Sequence, residues 1–268
     1  MATATVTVMA MKAMKTSEQS DLVNTLTDLH THILPCMDDG AEDLDMALAM
    51  LRQQKKRGVE RVALTSHFHP LREALDAFLQ RRQQAFSTLL SRWDGKTMPS
   101  LRLGAEVRYT PELAQMDLRQ LTIGQSDYLL LELPDAAVPA HVEQVAEGML
   151  LQGVTPILAH VERCAYFRTE PYRLERLAQM GALAQVSCKA IKNPKDKGFA
   201  AACLQKGLAH VIASDAHNMG FKGPVLGSAQ LDGDLICRAE EFARAVWEND
   251  RLPAYTIHSV KKGLLGYR

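Results

Sequence analysis

His30 and His32 stand one residue apart after the apolar run that starts at Leu26, and Asp215 and His217 repeat that spacing after Val211, Ile212 and Ala213. In a strand, residues i and i+2 share a face, so the two imidazoles of the first pair can reach one cation at the strand's mouth. One such pair is often chance. Further side chains of the same kind close other apolar runs. His67 follows the second, Glu106 the third, Glu132 sits within the fourth, and His160 ends the fifth. Taken singly each has an ordinary explanation: Glu132 could pair with a helix, His160 could bond a core carbonyl, and Glu106 could be a loop acid. Together they are harder to explain by packing, because buried charge is costly unless it is paired or bound to a metal. A mixed His and carboxylate set suits Mn²⁺, Fe or Zn²⁺ better than Mg²⁺ or Ca²⁺, which prefer oxygen alone. The set is too large for one ion and implies a site of two or three.

The elements that must position these groups can be read from hydrophobic periodicity. Candidate strands run from Leu26 to His32, Val62 to Ser66, Leu101 to Gly104, Tyr128 to Leu133, Thr155 to His160, Leu183 to Val186 and Val211 to Ser214. The stretch carrying Leu44, Ala47, Leu48 and Leu51 reads as a helix that stops at Gly58 after Lys55, Lys56 and Arg57. Further helices are expected over Leu71 to Leu90, His141 to Gln152, Tyr172 to Met180, Gly198 to Gln205 and Leu235 to Glu248, with an inserted loop around Asn193, Pro194 and Lys195. Strands alternating with helices imply an α/β fold with a parallel sheet. Seven such units suggest a barrel, and the candidate ligands fall at the carboxyl ends of its strands, where barrel side chains converge on one pocket. An open doubly wound sheet would usually offer a Gly-rich phosphate loop after its first strand, and His30, Thr31 and His32 stand there instead.

Composition narrows the function. The chain has 268 residues with no Pro/Gly/Ser-rich linker, so one domain over 26–268 is expected after a flexible N-terminal extension at 1–25. Basic and acidic residues balance at 31 each and form no basic stripe, which argues against nucleic acid as a partner. No apolar stretch is long enough for a signal peptide or membrane span, and five scattered cysteines suit a reducing compartment; a cytoplasmic protein is expected. None of those cysteines has an arginine six positions later, so no thiolate phosphate loop is present. Asp43 and Asp45 lie in the first helix, not at a strand end, and read as a cap or solvated face.

The blocks Asp28-Leu29-His30-Thr31-His32-Ile33-Leu34-Pro35, Asp38-Asp39-Gly40, Thr65-Ser66-His67, Gly104-Ala105-Glu106, Leu131-Glu132, Ala159-His160-Val161-Glu162-Arg163 and Ala213-Ser214-Asp215-Ala216-His217-Asn218 resemble the polymerase-and-histidinol-phosphatase (PHP) superfamily. Within it they are most similar to the manganese-dependent bacterial protein-tyrosine phosphatases of capsule and exopolysaccharide loci. The resemblance runs in order from Asp28 to the C-terminal region. It implies a distorted seven-stranded (β/α)7 barrel of PHP type, TIM-barrel-like, holding three divalent ions, usually Mn²⁺. By the same resemblance His30, His32, Glu106 and Asp215 hold one ion, Glu106 bridges to a second held with Glu132 and His160, and Asp39, His67 and His217 hold a third. His69 matches no ligand position and is expected at the rim.

The implied activity is hydrolysis of phosphotyrosine on a protein, in this family a bacterial tyrosine kinase of polysaccharide biosynthesis, by a metal-bridging hydroxide. Arg163 is placed to fork two phosphate oxygens, unless it merely pairs with Glu162 or Glu170. Lys222, after the Asp-x-His-Asn block, stands where related enzymes tend to carry arginine; it would bind substrate as a point charge without the fork. His217 could assist as an acid. The alternatives are a histidinol-phosphate phosphatase with the same cluster, an amidohydrolase, which would commonly have lysine where Glu132 stands, and a metal-stabilised regulatory binding module without catalysis.

Overall fold

A computed structural model of the chain describes residues 25–226, 231–263 and 266–267, so the expected N-terminal extension lies almost wholly outside the described residues. The elements follow in the order β1 (Leu26–Asp28), α1 (Leu44–Lys56), β2 (Val59–Leu64), β3 (His67–Phe68), α2 (Leu75–Leu90), β4 (Ser100–Leu103), β5 (Glu106–Arg108), β6 (Tyr128–Glu132), α3 (Val142–Leu151), β7 (Thr155–Leu158), α4 (Ala165–Thr169), α5 (Tyr172–Gln179), β8 (Leu183–Ser187), α6 (Cys188–Lys192), α7 (Pro194–Gln205), β9 (Val211–Ala213) and α8 (Gly233–Glu248), with a short hairpin, β10 (Lys262–Gly263) and β11 (Gly266–Tyr267), at the end. Two 3-10 turns precede β6 and a third, Val161–Arg163, follows β7.

The strands before the hairpin pair in parallel in two sheets, β1-β2-β4 and β3-β5-β6-β7-β8-β9. The α/β class and the parallel pairing expected from the sequence are therefore found. The expected strands Val62 to Ser66 and Leu101 to Gly104 end at Leu64 and Leu103, and each is followed by a short strand that was not expected, β3 and β5. Main-chain bonds link these regions, with Gly104 N donating to Leu64 O (3.0 Å) and Glu106 N to Thr65 O (3.2 Å). The first strand ends at Asp28 rather than His32. Beyond it the chain stays close to the segment after β9, with His32 N donating to Ala216 O (2.8 Å) and Asp215 N to His30 O (3.0 Å).

Local signals account for most helix ends. The Asp43 carboxylate accepts from Met46 N and caps α1, and Gly58 with φ +81° stops it, as a glycine past a helix C-terminus does. The expected loop at Asn193 to Lys195 is instead the start of α7: the Asn193 side chain accepts from Lys195 N and Pro194 takes the first helical position. Asn then Pro is a strong helix-start signal, because Pro lacks only the N–H that would be unpaired there anyway.

Alternation along the strands divides the core. Leu129 and Leu131 of β6 face the larger cluster with Leu48, Leu51, Phe68 and Phe78. Leu130 faces a second cluster with Leu29, Ala63, Ile157, Leu183 and Val211, against which α8 lays Phe242, Val246 and Trp247. No helix among the described residues is long and apolar enough to cross a membrane.

Candidate metal centre

The eight ligand candidates taken from strand ends and Asp39 come together in one cluster; His67 and Glu106, expected at carboxyl ends, are instead the first residues of β3 and β5. Glu106 is the hub. Its Oε2 lies 3.2 Å from His30 Nε2, 3.2 Å from His32 Nε2 and 3.1 Å from His67 Nδ1, and its Oε1 lies 2.9 Å from His160 Nε2. Asp215 Oδ1 stands 3.5 Å from His30 Nε2 and 3.6 Å from His32 Nε2. Toward solvent, Asp39 Oδ1 faces His67 Nε2 at 3.5 Å and His217 Nε2 at 3.3 Å, while Glu132 Oε2 lies 3.9 Å from His67 Nδ1. Among the described residues, four groups have donor atoms close enough to share an ion: His30, His32 and Asp215; His30, Glu106 and His160; His67, Glu106 and Glu132; and His32, Asp39, His67 and His217.

Backbone turns aim two of these side chains. His160 and Asp215 adopt left-handed conformations, φ +33° and +52°, each two residues past its strand, β7 and β9. A non-glycine residue held there costs on the order of 1–3 kcal/mol, and such strain gathers at functional sites. The HxH pair lies past the end of β1, yet its Nε2 atoms stand 3.1 Å apart, the convergence expected of an i, i+2 pair.

Hydrogen bonds fix which ring nitrogen faces the cluster. His32 Nδ1 donates to Asp38 Oδ2 (2.8 Å), His30 Nδ1 to Gln185 Oε1 (3.1 Å) and His217 Nδ1 to the Asp215 carbonyl (3.0 Å). These acceptors turn each ring so that Nε2 points inward, the nitrogen that a histidine held in this way offers to a cation. Gln185 Oε1 also accepts from His160 N, and Asp38 also accepts from His67 N, so each joins two ligand segments. Asp28, fully buried, accepts from Gln54, Ser214 N and His30 N and ties β1 to β9. The loop holding Asp38 and Asp39 folds back on His32: a Cβ on Gly40 would lie 2.0 Å from His32 O, so only glycine fits.

The donor set fits cations. An ion about 2.1 Å from each ligand would hold neighbouring donors about 3.0–3.4 Å apart, close to the separations around Glu106. Glu106 Oε2, His67 Nδ1 and His160 Nδ1 are buried without a hydrogen-bond partner, a deficit that an ion would relieve at the first two. Charge tells the same story. Burial alone would drive the imidazoles neutral, but Glu106 and Asp215 push the His30 pKa up, and Asp38 and Glu106 hold that of His32 well above its ordinary value. Burial likewise opposes ionisation of Glu106 and Asp215, and the neighbouring cations overcome it, keeping both carboxyls well below the usual range. Protons thus balance carboxylates where metal charge otherwise would, so metal binding should release protons. His217 differs: burial, then His32, pushes it down to about 4, leaving a neutral imidazole stacked 3.9 Å from the His32 ring. A neutral ring can ligate through Nε2, and its one N–H is held by the Asp215 carbonyl, which weighs against the acid role.

Arg163 pairs with Asp215 rather than with Glu162 or Glu170, since Glu162 is buried against Ser187 and Glu170 is held by Arg173. Lys222 Nζ lies 3.1 Å from Asp39 Oδ2, at the solvent edge of the cluster. His69 sits at the rim, its ring 5.8 Å from that of His67. All five cysteines are free thiols, four of them buried, and burial pushes Cys164 up to about 12. Burial pushes Cys203 up as well, so neither of these two is a thiolate at neutral pH.

Residues 26–232 match the family model described as capsular polysaccharide synthesis, CpsB/CapC. The chain belongs to this family. Similar CpsB/CapC-type proteins include the tyrosine-protein phosphatase YwqE of Bacillus subtilis, 32% identical over 208 residues (72% of this chain and 78% of that one). The tyrosine-protein phosphatase CpsB of Streptococcus pneumoniae is 27% identical over 229 residues, 80% of this chain and 90% of that one. The crystal structures of B. subtilis YwqE and S. pneumoniae CpsB, described as unique metal-dependent tyrosine phosphatases, supply a chain with TM-score 0.77 and 26% identity, covering 88% of this chain and 100% of that chain. The CpsB/CapC chain has site residues that strand-end reasoning passed over: Asp38, Gln185, Asp28 and Lys189, whose Nζ reaches the Asp215 carbonyl at 3.4 Å. Gln185 left a trace, a lone amide inside the apolar run Leu183 to Val186.

Proposed function

We propose that this CpsB/CapC chain is a metal-dependent phosphomonoesterase that hydrolyses phosphotyrosine on proteins. The observation that carries this reading is Glu106 Oε2, buried without a hydrogen-bond partner and faced by three imidazole nitrogens. Metal dependence and the tyrosine-phosphatase names of its relatives agree with it. We read the nine ligands as three sites for divalent ions, Mn²⁺ first and Fe or Zn²⁺ as alternatives: His30, His32, Glu106 and Asp215; Glu106, Glu132 and His160; Asp39, His67 and His217. His67 supports two of the sites, because its Nδ1 faces Glu106 and its Nε2 faces Asp39. The bonds between the segments after β1 and β9, with the second core cluster beneath, support closure of the strands into a distorted seven-stranded barrel.

When bound, the ions supply Lewis acidity that lowers the pKa of water from about 15.7 toward 7 and screens phosphate charge. The chain's own residues do the rest. Arg163, kept charged because the nearby Asp215 and Glu162 outweigh its burial, offers fork donors to non-bridging phosphate oxygens as charge spreads over them. Lys222 adds a point charge at the outer edge. A phenol leaving group, with pKa near 10, needs less proton delivery than an alkyl alcohol, so the neutral His217 is no obstacle to phosphotyrosine. A cytoplasmic tyrosine kinase of polysaccharide synthesis is the substrate protein that the family suggests.

The test is turnover of a phosphotyrosine peptide by purified protein, with metal content measured alongside. Chelation should abolish turnover and Mn²⁺ should restore it. Faster hydrolysis of histidinol phosphate than of the peptide would move the activity to small molecules. Absence of turnover on both would overturn the phosphatase reading in favour of a binding module.

A further inference from the structure

Beside the metal centre, between the turn Val161–Arg163, the short helix α6 and the chain after His217, opens a cleft of about 510 Å³. Arg163, paired with Asp215, lines it together with Lys189 and Lys192. Phe221, 94% exposed, forms part of its lining. Two acidic residues also border it, but both are engaged: Glu162 is buried and bonded to Ser187, and Asp196 is paired with Arg168 and bonded to Asn193. Three cations against two acids leave the lining with an excess of positive charge, carried by Lys189 and Lys192 because Arg163 is paired with Asp215, and an aromatic ring stands in its wall.

We propose that this cleft seats the polypeptide next to the phosphotyrosine and selects substrates with Asp or Glu beside the scissile residue. This rests on the phosphatase reading above and adds what that reading does not decide, the sequence context of the substrate. Complementary charge at close range draws in the acidic flank and disfavours a basic one, while Phe221 offers apolar surface to the backbone and ring. Lys189 couples the two ends: its ammonium reaches the Asp215 carbonyl at 3.4 Å, so a carboxylate it holds lies beside the reacting phosphate.

The experiment uses the full chain loaded with Mn²⁺ and three substrates: p-nitrophenyl phosphate, a phosphotyrosine peptide flanked by Glu, and the same peptide flanked by Gln. The expected result is about tenfold higher kcat/KM for the Glu peptide, carried mainly by KM and shrinking as salt rises. In K189Q/K192Q the preference should fall below about threefold, and in K192E the order of the two peptides should narrow further or invert. Far-ultraviolet circular dichroism and metal content report whether the variants are folded. Equal kcat/KM for the two peptides in the unaltered protein, with p-nitrophenyl phosphate still hydrolysed, overturns this inference and leaves the phosphatase standing. A preference that persists in folded K189Q/K192Q overturns it as well. Loss of turnover on all three substrates by the unaltered protein removes the phosphatase reading and this one with it.

Discussion

Arg163 touches Asp215 yet keeps its side chain 39% exposed, so part of its fork faces the open side of the cluster. Arg163→Ala should lower kcat/KM on a phosphotyrosine peptide by about 10²–10³-fold, the cost of removing one well-aimed donor to developing charge, while metal content stays near that of the unaltered protein. Arg163→Lys should recover only part of this, because an ammonium lacks the planar fork; steady-state kinetics with elemental analysis decides. Asp38 acts at one remove, holding His32 and the backbone of His67. Asp38→Asn should weaken metal affinity about 10–100-fold, measured by titration calorimetry, with turnover partly recovered at saturating Mn²⁺. Eight of the nine proposed ligands were legible in the sequence because they interrupt, end or follow an apolar run, whereas Asp39 came only from the family resemblance. Asp38 and Gln185 were not assigned, because a residue that steadies a ligand obeys the geometry of the ligand's ring rather than any spacing along the chain.

The loop from Cys36 to Ala41 bends back so that Ala41 N donates to His32 O and Gly40 packs against the same carbonyl. Gly40→Ala places a methyl where no shift of a flexible side chain can make room. It should destabilise the fold by on the order of 2 kcal/mol, read from urea unfolding, and should weaken metal binding because Asp38 and Asp39 ride on the same turn. At this scale the apolar runs located seven of the nine parallel strands among the described residues, missing the short β3 and β5, and most helices. They did not foretell the breaks at Thr65–Ser66 and Gly104–Ala105, since hydrophobic pattern reports burial and remains unbroken where pairing changes partner. The start of α7 was misread for a different reason: Asn-Pro marks turns and helix starts alike, and only the capping bond to Lys195 N separates them.

Across the whole molecule, Glu240 of α8 accepts from Thr27 N (2.8 Å) and Thr27 Oγ1 (2.7 Å) on the first strand. Burial pushes its carboxyl up to about 7, against the pull of those bonds and of Arg61 and Arg244. The folded state thus holds this proton more tightly than the unfolded chain, whose glutamates titrate near 4.5. Its stabilisation is complete below about pH 4.5 and fades as pH rises through 7. Glu240→Gln cannot ionise, so relative to the unaltered protein it should gain up to about 3 kcal/mol of unfolding free energy between pH 4.5 and 8, measured by denaturant titration at each pH. That coupling of the first strand to the last long helix had no signature in the sequence, where the two are separated by most of the chain.

The same helix bears on where this protein can be cut. The family match stops at Asp232, whose carboxylate accepts from Asp234 N to start α8, and Phe242, Val246 and Trp247 of that helix lie beyond the match. A gene fragment trimmed to the shared segment would retain every proposed ligand and still leave Leu130, Ile157 and Val211 open to water, inviting aggregation. Kinship here marks the extent of common chemistry, and the scaffold needed to keep it soluble runs one helix further.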